Sequence, residues 1–250
     1  MSSYQKICQL CSKLGPHPDA HIFPKSLYRG ERGVSFIAFE AAGRQPTRRS
    51  QSGIYDNQLW CQTCETMSAK LDDHVSHFLL NPVEYLESIQ RISFDEPYNH
   101  YRMASIDPHK LHSFVLSVLW RASASTRLEV KKFTLGIYQE EIKEILRSST
   151  LIRNRFPFIL RYEKNPLMRS GFICPSRYKF DGVNFVRFHG SGFAFDIKIG
   201  KGLLPTCLLP FTNAHNKPVT VLNYSLLETR EGRALAQGAR RSHALRQRRG

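Results

Sequence analysis

The chain has 250 residues, 41% of them hydrophobic, with 16 Phe and 10 Tyr, enough to bury a substantial core and to build one large or two small domains. That composition excludes a disordered chain, and no run of about 18 uncharged apolar residues is present to cross a membrane. With 36 Lys and Arg against 21 Asp and Glu, the formal net charge of +15 disfavours basic partners and favours polyanions, nucleic acid first among them.

Met1 to Gln9 lacks the apolar core of a signal peptide, so a cytoplasmic, reducing setting is expected, in which paired C-x2-C units read as metal sites before disulfides. Residues 1–28 hold Cys8 and Cys11, a Gly-Pro-His-Pro turn and the run His21-Ile22-Phe23-Pro24, a knuckle followed by a short strand. From Gly30 to Gly53 the chain is rich in Gly, Arg, Ser and Gln, and only Val34 to Phe39 is apolar enough to pair. This stretch predicts a long basic loop or hairpin with Arg44, Arg48 and Arg49 near its tip, where guanidinium groups could grip phosphates. Ile54 to Trp60 reads as a strand entering Cys61 and Cys64. Glu65 to Leu80 has helical spacing, with Met67, Leu71, Val75, Phe78 and Leu79 on one face.

Asn81-Pro82 stops that helix and sets an expected domain boundary near residue 82. His109 to Ser125 and Tyr138 to Leu146 continue on a helical period. Within the first, Trp120 reads as core and Arg121 as a structural ion-pair or capping residue. Beyond Arg155 the texture is β: Phe156 to Tyr162, Gly171 to Cys174, Asn184 to Phe188, Gly192 to Ile199 and Val219 to Tyr224 are short aromatic or β-branched runs separated by Gly, Pro and Asn, expected to form an antiparallel sheet. Cys174 and Cys207 are isolated and read as small buried hydrophobes. Residues 228–250 carry seven arginines against two glutamates, a basic tail too polar to pack.

Four thiolates satisfy tetrahedral zinc, and two C-x2-C knuckles at opposite ends of a hairpin supply them without straining either backbone. Cys8, Cys11, Cys61 and Cys64 are therefore the expected ligands of one structural Zn2+, and the 49 residues between Cys11 and Cys61 must fold back on themselves.

The order C-x2-C, His21-Ile22-Phe23-Pro24, Asn57, C-x2-C and then Glu65 resembles the zinc-stapled branch of the HNH endonucleases, the ββα-metal nucleases, over roughly residues 8–80. The resemblance implies that His21 is the general base that activates water. Imidazole is the side chain whose ordinary pKa lies nearest neutrality. It further implies that Asn57 orients His21, and that Glu65, directly after the last cysteine, is a ligand of a catalytic Mg2+ or Mn2+, hard cations that prefer carboxylate oxygen. The family's Asp immediately before the histidine is Ala20 here, with Asp19 one step further back as its candidate replacement. Asp72 lies seven residues after Glu65 on the same helix face but about 10 Å along the axis, so it could serve as a second ligand only through water.

The expected fold class is α+β: an HNH-like zinc-bound ββα-metal (treble-clef-like) module over residues 1–82, a helical and antiparallel β accessory domain over 83–227, and a flexible basic tail over 228–250. The resemblance implies metal-dependent hydrolysis of DNA, in defence against foreign DNA or within a mobile element. The alternatives are a noncatalytic zinc module that binds DNA or RNA, and a scaffold in which the zinc only supports the fold. The expected partners are nucleic acid, no membrane, and a second copy or a partner protein on the accessory domain.

Overall fold

The computed structural model describes residues 5–28, 36–39, 46–50, 53–82, 85, 100–103, 106–152, 154–163, 169, 172–214 and 218–225. Arg44 and the basic tail lie outside them. The chain folds as a mixed α+β protein. Two small hairpins open it: β1 (Gln5–Ile7) pairs with β2 (Leu14–Pro16), and β3 (Ala20–His21) pairs with β6 (Tyr55–Asp56). The second leads into helix α1 (Gln62–Leu80).

The remaining strands form one eight-stranded sheet in the order β5 (Pro46–Ser50), β4 (Phe36–Phe39), β9 (Phe172–Phe180), β10 (Val183–Gly190), β11 (Phe193–Lys198), β8 (Phe158–Glu163), β12 (Val219–Tyr224), β7 (His100–Met103). Two-residue turns at Asp181-Gly182 and Ser191-Gly192, all four residues at positive φ, join β9 to β10 and β10 to β11 as tight hairpins whose twist matches the strands. The sheet is mixed rather than antiparallel as expected: β12 runs parallel to β8, and β4 parallel to β9. The reason is connectivity, since β12 and β4 arrive from distant parts of the chain and neither is a hairpin partner of its neighbour. Arg48 and Arg49 lie within edge strand β5, opposite Ala38 and Ile37, and not at the tip of a loop.

Side chains alternate across the sheet as the pleat requires. Phe158, Leu160, Phe188, Phe193, Phe195 and Ile197 enter the main core, whereas Ile159 packs with Phe211 and Leu222 on the other face. Helix α2 (Pro108–Ala124) is buried along most of its circumference, which is why its sequence reads as nearly continuous apolar residues. Asp107 caps it, its side chain accepting from the backbone N–H groups of His109 and Lys110 at 2.9 and 3.2 Å. Helix α3 (Gln139–Ser148) packs alongside α2, with Ile142 and Ile145 buried. Each fully buried Phe contributes about 2–3 kcal/mol of apolar burial.

The boundary expected near residue 82 does not separate two cores. Phe23, Trp60, Val75 and Phe78 belong to the same apolar cluster as Phe114, Trp120 and Phe193, with Phe78 and Phe193 rings 4.9 Å apart. The Ser191 hydroxyl also donates to the Ser26 carbonyl, fastening the β10–β11 turn to the short helix Lys25–Tyr28.

Away from α2, β8, β10 and β11 carry a buried polar cluster of Arg161, Arg187, His189 and Asp196. Burial and the adjacent Arg187 guanidinium push the His189 imidazole down to about 3. The folded protein therefore refuses a proton that the unfolded chain accepts below about pH 6.5, and stability falls with pH by up to about 1.4 kcal/mol per unit from there downward. In urea unfolding at a series of pH values, His189→Gln is expected to flatten that slope between about pH 6.5 and 5. An unchanged slope would remove His189 as its origin.

Candidate metal centre and active-site cavity

Each cysteine of the knuckle pairs is positioned locally. Cys8 leaves β1, and its sulfur receives the Cys11 N–H at 3.4 Å while Ser12 turns through φ 62°. Cys61 occupies the N-cap position of α1, without a side-chain capping bond, and Cys64 sits in the first turn, where the helix dipole favours negative charge. The Gln9 N–H bonds to the Leu59 carbonyl at 2.9 Å and holds the two knuckles together. The Sγ atoms of Cys8 and Cys64 are 3.7 Å apart, those of Cys11 and Cys61 are 3.8 Å apart, and all four lie within 4.8 Å of one another. A tetrahedron with Zn–S bonds of about 2.3 Å has edges of about 3.8 Å, so the four cysteines fit a single zinc ion. Among the described residues they are the one group of three or more ligating side chains this close together. Cys174 is buried as expected, but Cys207 is exposed, because the helical turn Thr206–Phe211 packs through Phe211 and turns Cys207 outward.

Further along α1, one face of that helix, β3 and the short helix Lys25–Tyr28 line an open cavity of about 390 Å3 whose walls include His21, Lys25, Ser26, Glu65, Asp72 and Asp73. Glu65, Ala69, Asp72 and Ser76 recur at helical spacing, which is why a single face of α1 supplies them. His21 reaches the same cavity from β3, its ring centroid 6.5 Å from that of Tyr55 on the paired strand. His21, Glu65 and Asp72, 51 positions apart at the extremes, thus face one space.

The acids are held from behind. The Trp60 indole N–H donates to Glu65 Oε2 at 2.5 Å, and Trp60 stacks on Trp120 with centroids 6.0 Å apart. Arg121, 1% exposed, grips Asp72 with both arms, Nη1 to Oδ2 at 2.7 Å and Nη2 to Oδ1 at 2.8 Å. Its Nη1 also donates to the His21 carbonyl at 3.1 Å and its Nε to the Ser117 carbonyl at 3.4 Å, while Cζ lies 5.5 Å from the centroid of Trp60. The ion pair expected for Arg121 is therefore made with a residue of the cavity. Burial raises the Glu65 carboxyl above its ordinary range, against the pull of the Trp60 N–H and the Arg121 charge. Burial raises Asp72 as well, opposed by the same guanidinium.

Asp19 and Asn57 do not line this cavity. Asp19 is exposed in the loop before β3. The β3–β6 register pairs His21 with Tyr55 and Ala20 with Asp56, so Asn57 falls beyond the end of the hairpin. Its carbonyl and Oδ1 accept from Lys6 Nζ at 3.2 and 3.4 Å, and Oδ1 accepts from the Gln58 side chain at 3.1 Å. Its neighbour Asp56 is the buried acid, accepting from Ser125 Oγ at 2.7 Å and the Thr126 N–H at 3.0 Å, which pins the end of α2 to the hairpin. Ala20 is fully buried.

Trp60 and Arg121 escape a sequence reading of the site because each looks like ordinary core; the Trp120-Arg121 pair closing an apolar helix was their one signal. The chain matches no family model, no curated protein and no solved structure. Among the described residues no helix is long and apolar enough to cross a membrane.

Proposed function

We propose that the protein is a metal-dependent endonuclease that hydrolyses DNA phosphodiester bonds, on the strength of one observation: His21, Glu65 and Asp72 line a single cavity along α1, the helix that starts at the four-cysteine centre. The β3–β6 hairpin running into α1, with cysteines at both ends, is consistent with a zinc-stapled ββα-metal module. The cavity's donors are carboxylate oxygens and an imidazole, a set that suits Mg2+ or Mn2+, with Glu65 as direct ligand. Such an ion would stabilise charge on the phosphate and on the departing oxygen. His21 takes a proton from water as its oxygen bonds to phosphorus and the P–O3′ bond breaks. Arg121 and Trp60 keep the two acids oriented, and the +15 charge of the chain draws the polyanion in.

The test is incubation of supercoiled plasmid and single-stranded DNA with the full chain and Mg2+ or Mn2+, alongside His21→Ala. The variant is expected to lose at least about 100-fold in cutting, the typical contribution of a general base. Equal cutting by both proteins would defeat the proposal.

Two observations favour a second reading, a noncatalytic zinc module that binds DNA or RNA: Ala20 is fully buried where the family has an acid, and Asp19 lies outside the cavity. That reading expects binding that weakens steeply with salt and no cleavage under any metal.

A further inference from the structure

Independently of the nuclease reading, we propose a second binding site between the helices that takes a small amphipathic carboxylate, an apolar ring or short chain with a single negative head. Helices α1, α2 and α3 converge on a pocket of about 280 Å3. That volume lies just below the range usual for drug-sized ligands, so it suits a molecule of about a dozen non-hydrogen atoms.

The wall divides by polarity. Leu10, Trp60, Leu71, Ile145 and Leu146 supply its apolar part. One stripe of α2, His109, Ser113 and Ser117 at successive i, i+4 positions, runs along it for about 12 Å from the start of the helix inward. Ser117, at the inner end, is 3% exposed, and Lys110 stands beside His109 at the outer end. A negative head there meets the Lys110 ammonium and the positive end of the α2 dipole. Among the described residues no acid lines this pocket, whereas Glu65, Asp72 and Asp73 line the His21 cavity. The nearby Asp107 carboxylate is engaged in capping, accepting from the His109 and Lys110 N–H groups. Ser68 is the observation that points to an occupant. It lies in the wall on α1, 8% exposed, and its hydroxyl has no hydrogen-bond partner among the described residues. Helical hydroxyls ordinarily return to the carbonyl one turn back, as Thr66 does to Gln62 at 2.9 Å, Ser76 to Asp72 at 2.5 Å and Ser148 to Glu144 at 2.8 Å. Ser68 makes no such bond, and a buried hydroxyl left unpaired is costly, so a polar group of the ligand supplies the missing partner. A carboxylate accepts from the Ser68 hydroxyl and from the Lys110 ammonium alike. Trp60 belongs to this wall and, through its N–H bond to Glu65, also touches the His21 cavity, so the site carries its own fluorescent reporter.

The experiment uses the full, zinc-loaded chain with 2-naphthoate and octanoate as probes and 2-naphthalenemethanol as the uncharged control, followed by calorimetry and by quenching of the stacked tryptophans. Saturable one-to-one binding of 2-naphthoate with Kd at or below about 1 mM is expected, the affinity that about thirteen non-hydrogen atoms reach at ordinary ligand efficiency. Lys110→Glu is expected to weaken 2-naphthoate at least about threefold and to leave the alcohol unchanged, since only the charged head feels it. Ser68→Ala is expected to weaken 2-naphthoate about fivefold without lowering the thermal midpoint, because the hydroxyl it removes has no partner in the protein. Ser113→Leu puts a bulky side chain into the pocket from a half-buried position and is expected to abolish binding of every probe. If near-ultraviolet dichroism shows that Ser113→Leu does not fold, Lys110→Glu and Ser68→Ala, which remove nothing from the apolar core, decide the matter. No saturable binding of either carboxylate, or equal binding by folded Ser113→Leu, overturns the proposal. So do equal losses of acid and alcohol in Lys110→Glu, or undiminished binding of 2-naphthoate by both Lys110→Glu and Ser68→Ala.

Discussion

Removing zinc, by chelation or by Cys64→Ala, is expected to unfold the protein well beyond its first 80 residues. A four-thiolate zinc contributes about 10–16 kcal/mol of apparent binding free energy to small zinc domains, as much as the entire stability of a typical domain, about 5–15 kcal/mol. Here the loss would not stay local. Cys8, Cys61 and Cys64 are themselves members of the main core, together with Trp60 and the α2 residues Phe114 and Trp120. Trp60 and Trp120 are stacked, so collapse of the knuckles separates the chain's two tryptophans and reaches α2. Elemental analysis should find one zinc per chain, and chelator titration should release it in step with the loss of near-ultraviolet dichroism. Purified protein that holds no metal yet keeps a cooperative thermal transition would refute the zinc assignment.

The second large effect is expected at Asp196, far from the cavity. Asp196 is fully buried and accepts Arg161 Nε at 2.6 Å, Arg187 Nη2 at 2.9 Å and a further bond from Arg187 Nε. Burial alone would raise this carboxyl, but the Arg187 and Arg161 guanidiniums override it and hold the group well below the ordinary carboxylate range. Asp196→Ala leaves two guanidiniums, 21% and 12% exposed, facing each other without their shared counter-charge. Breaking a buried pair in this way costs about 3–5 kcal/mol. Urea unfolding at neutral pH measures it, and a loss below about 1 kcal/mol would show that solvent or a neighbouring group compensates. Since the folded pKa is depressed, the cluster's contribution is present above about pH 4, the unfolded value, and is lost as pH falls below it. Its acid loss therefore begins only below about pH 4, whereas His189 already lowers stability from about pH 6.5 downward. Replacing all three charged groups with packed apolar residues is expected to cost far less than Asp196→Ala, because no unpaired charge remains.

Much of the architecture was readable from local pattern. The helices expected at Glu65 to Leu80, His109 to Ser125 and Tyr138 to Leu146 form at Gln62–Leu80, Pro108–Ala124 and Gln139–Ser148. Their apolar period, and the Asp107-Pro108 start of α2, are properties of neighbouring residues. The strand expected from Ile54 to Trp60 shrinks to Tyr55–Asp56, because Asp56 turns its carboxylate onto the Gln58 N–H and ends the extension. Strand β9 runs past the expected Cys174 to Phe180, although Pro175 interrupts the sequence, because Asp181-Gly182 returns the chain along β10 for eight residues.

By itself the sequence determined the four-cysteine cluster and singled out two residues, His21 and Glu65, that line the same cavity. Ligand spacing, the apolar period of α1 and a strand ending in His21 are all set by residues close in the chain. Tertiary structure decided the rest. The site is completed from helix α2 by Arg121, 49 positions from Asp72 and 100 from His21, and the partner of a buried arginine depends on which helix lies opposite it. A one-residue change in the β3–β6 pairing would have brought Asn57 nearer to His21. The observed register instead aligns Tyr55 with His21 and gives the buried place to Asp56, because the end of α2 supplies donors that this carboxylate satisfies. The single core spanning residue 82 has the same origin: a helix apolar on every side, such as α2, is stable only when both the zinc module and the sheet close over it.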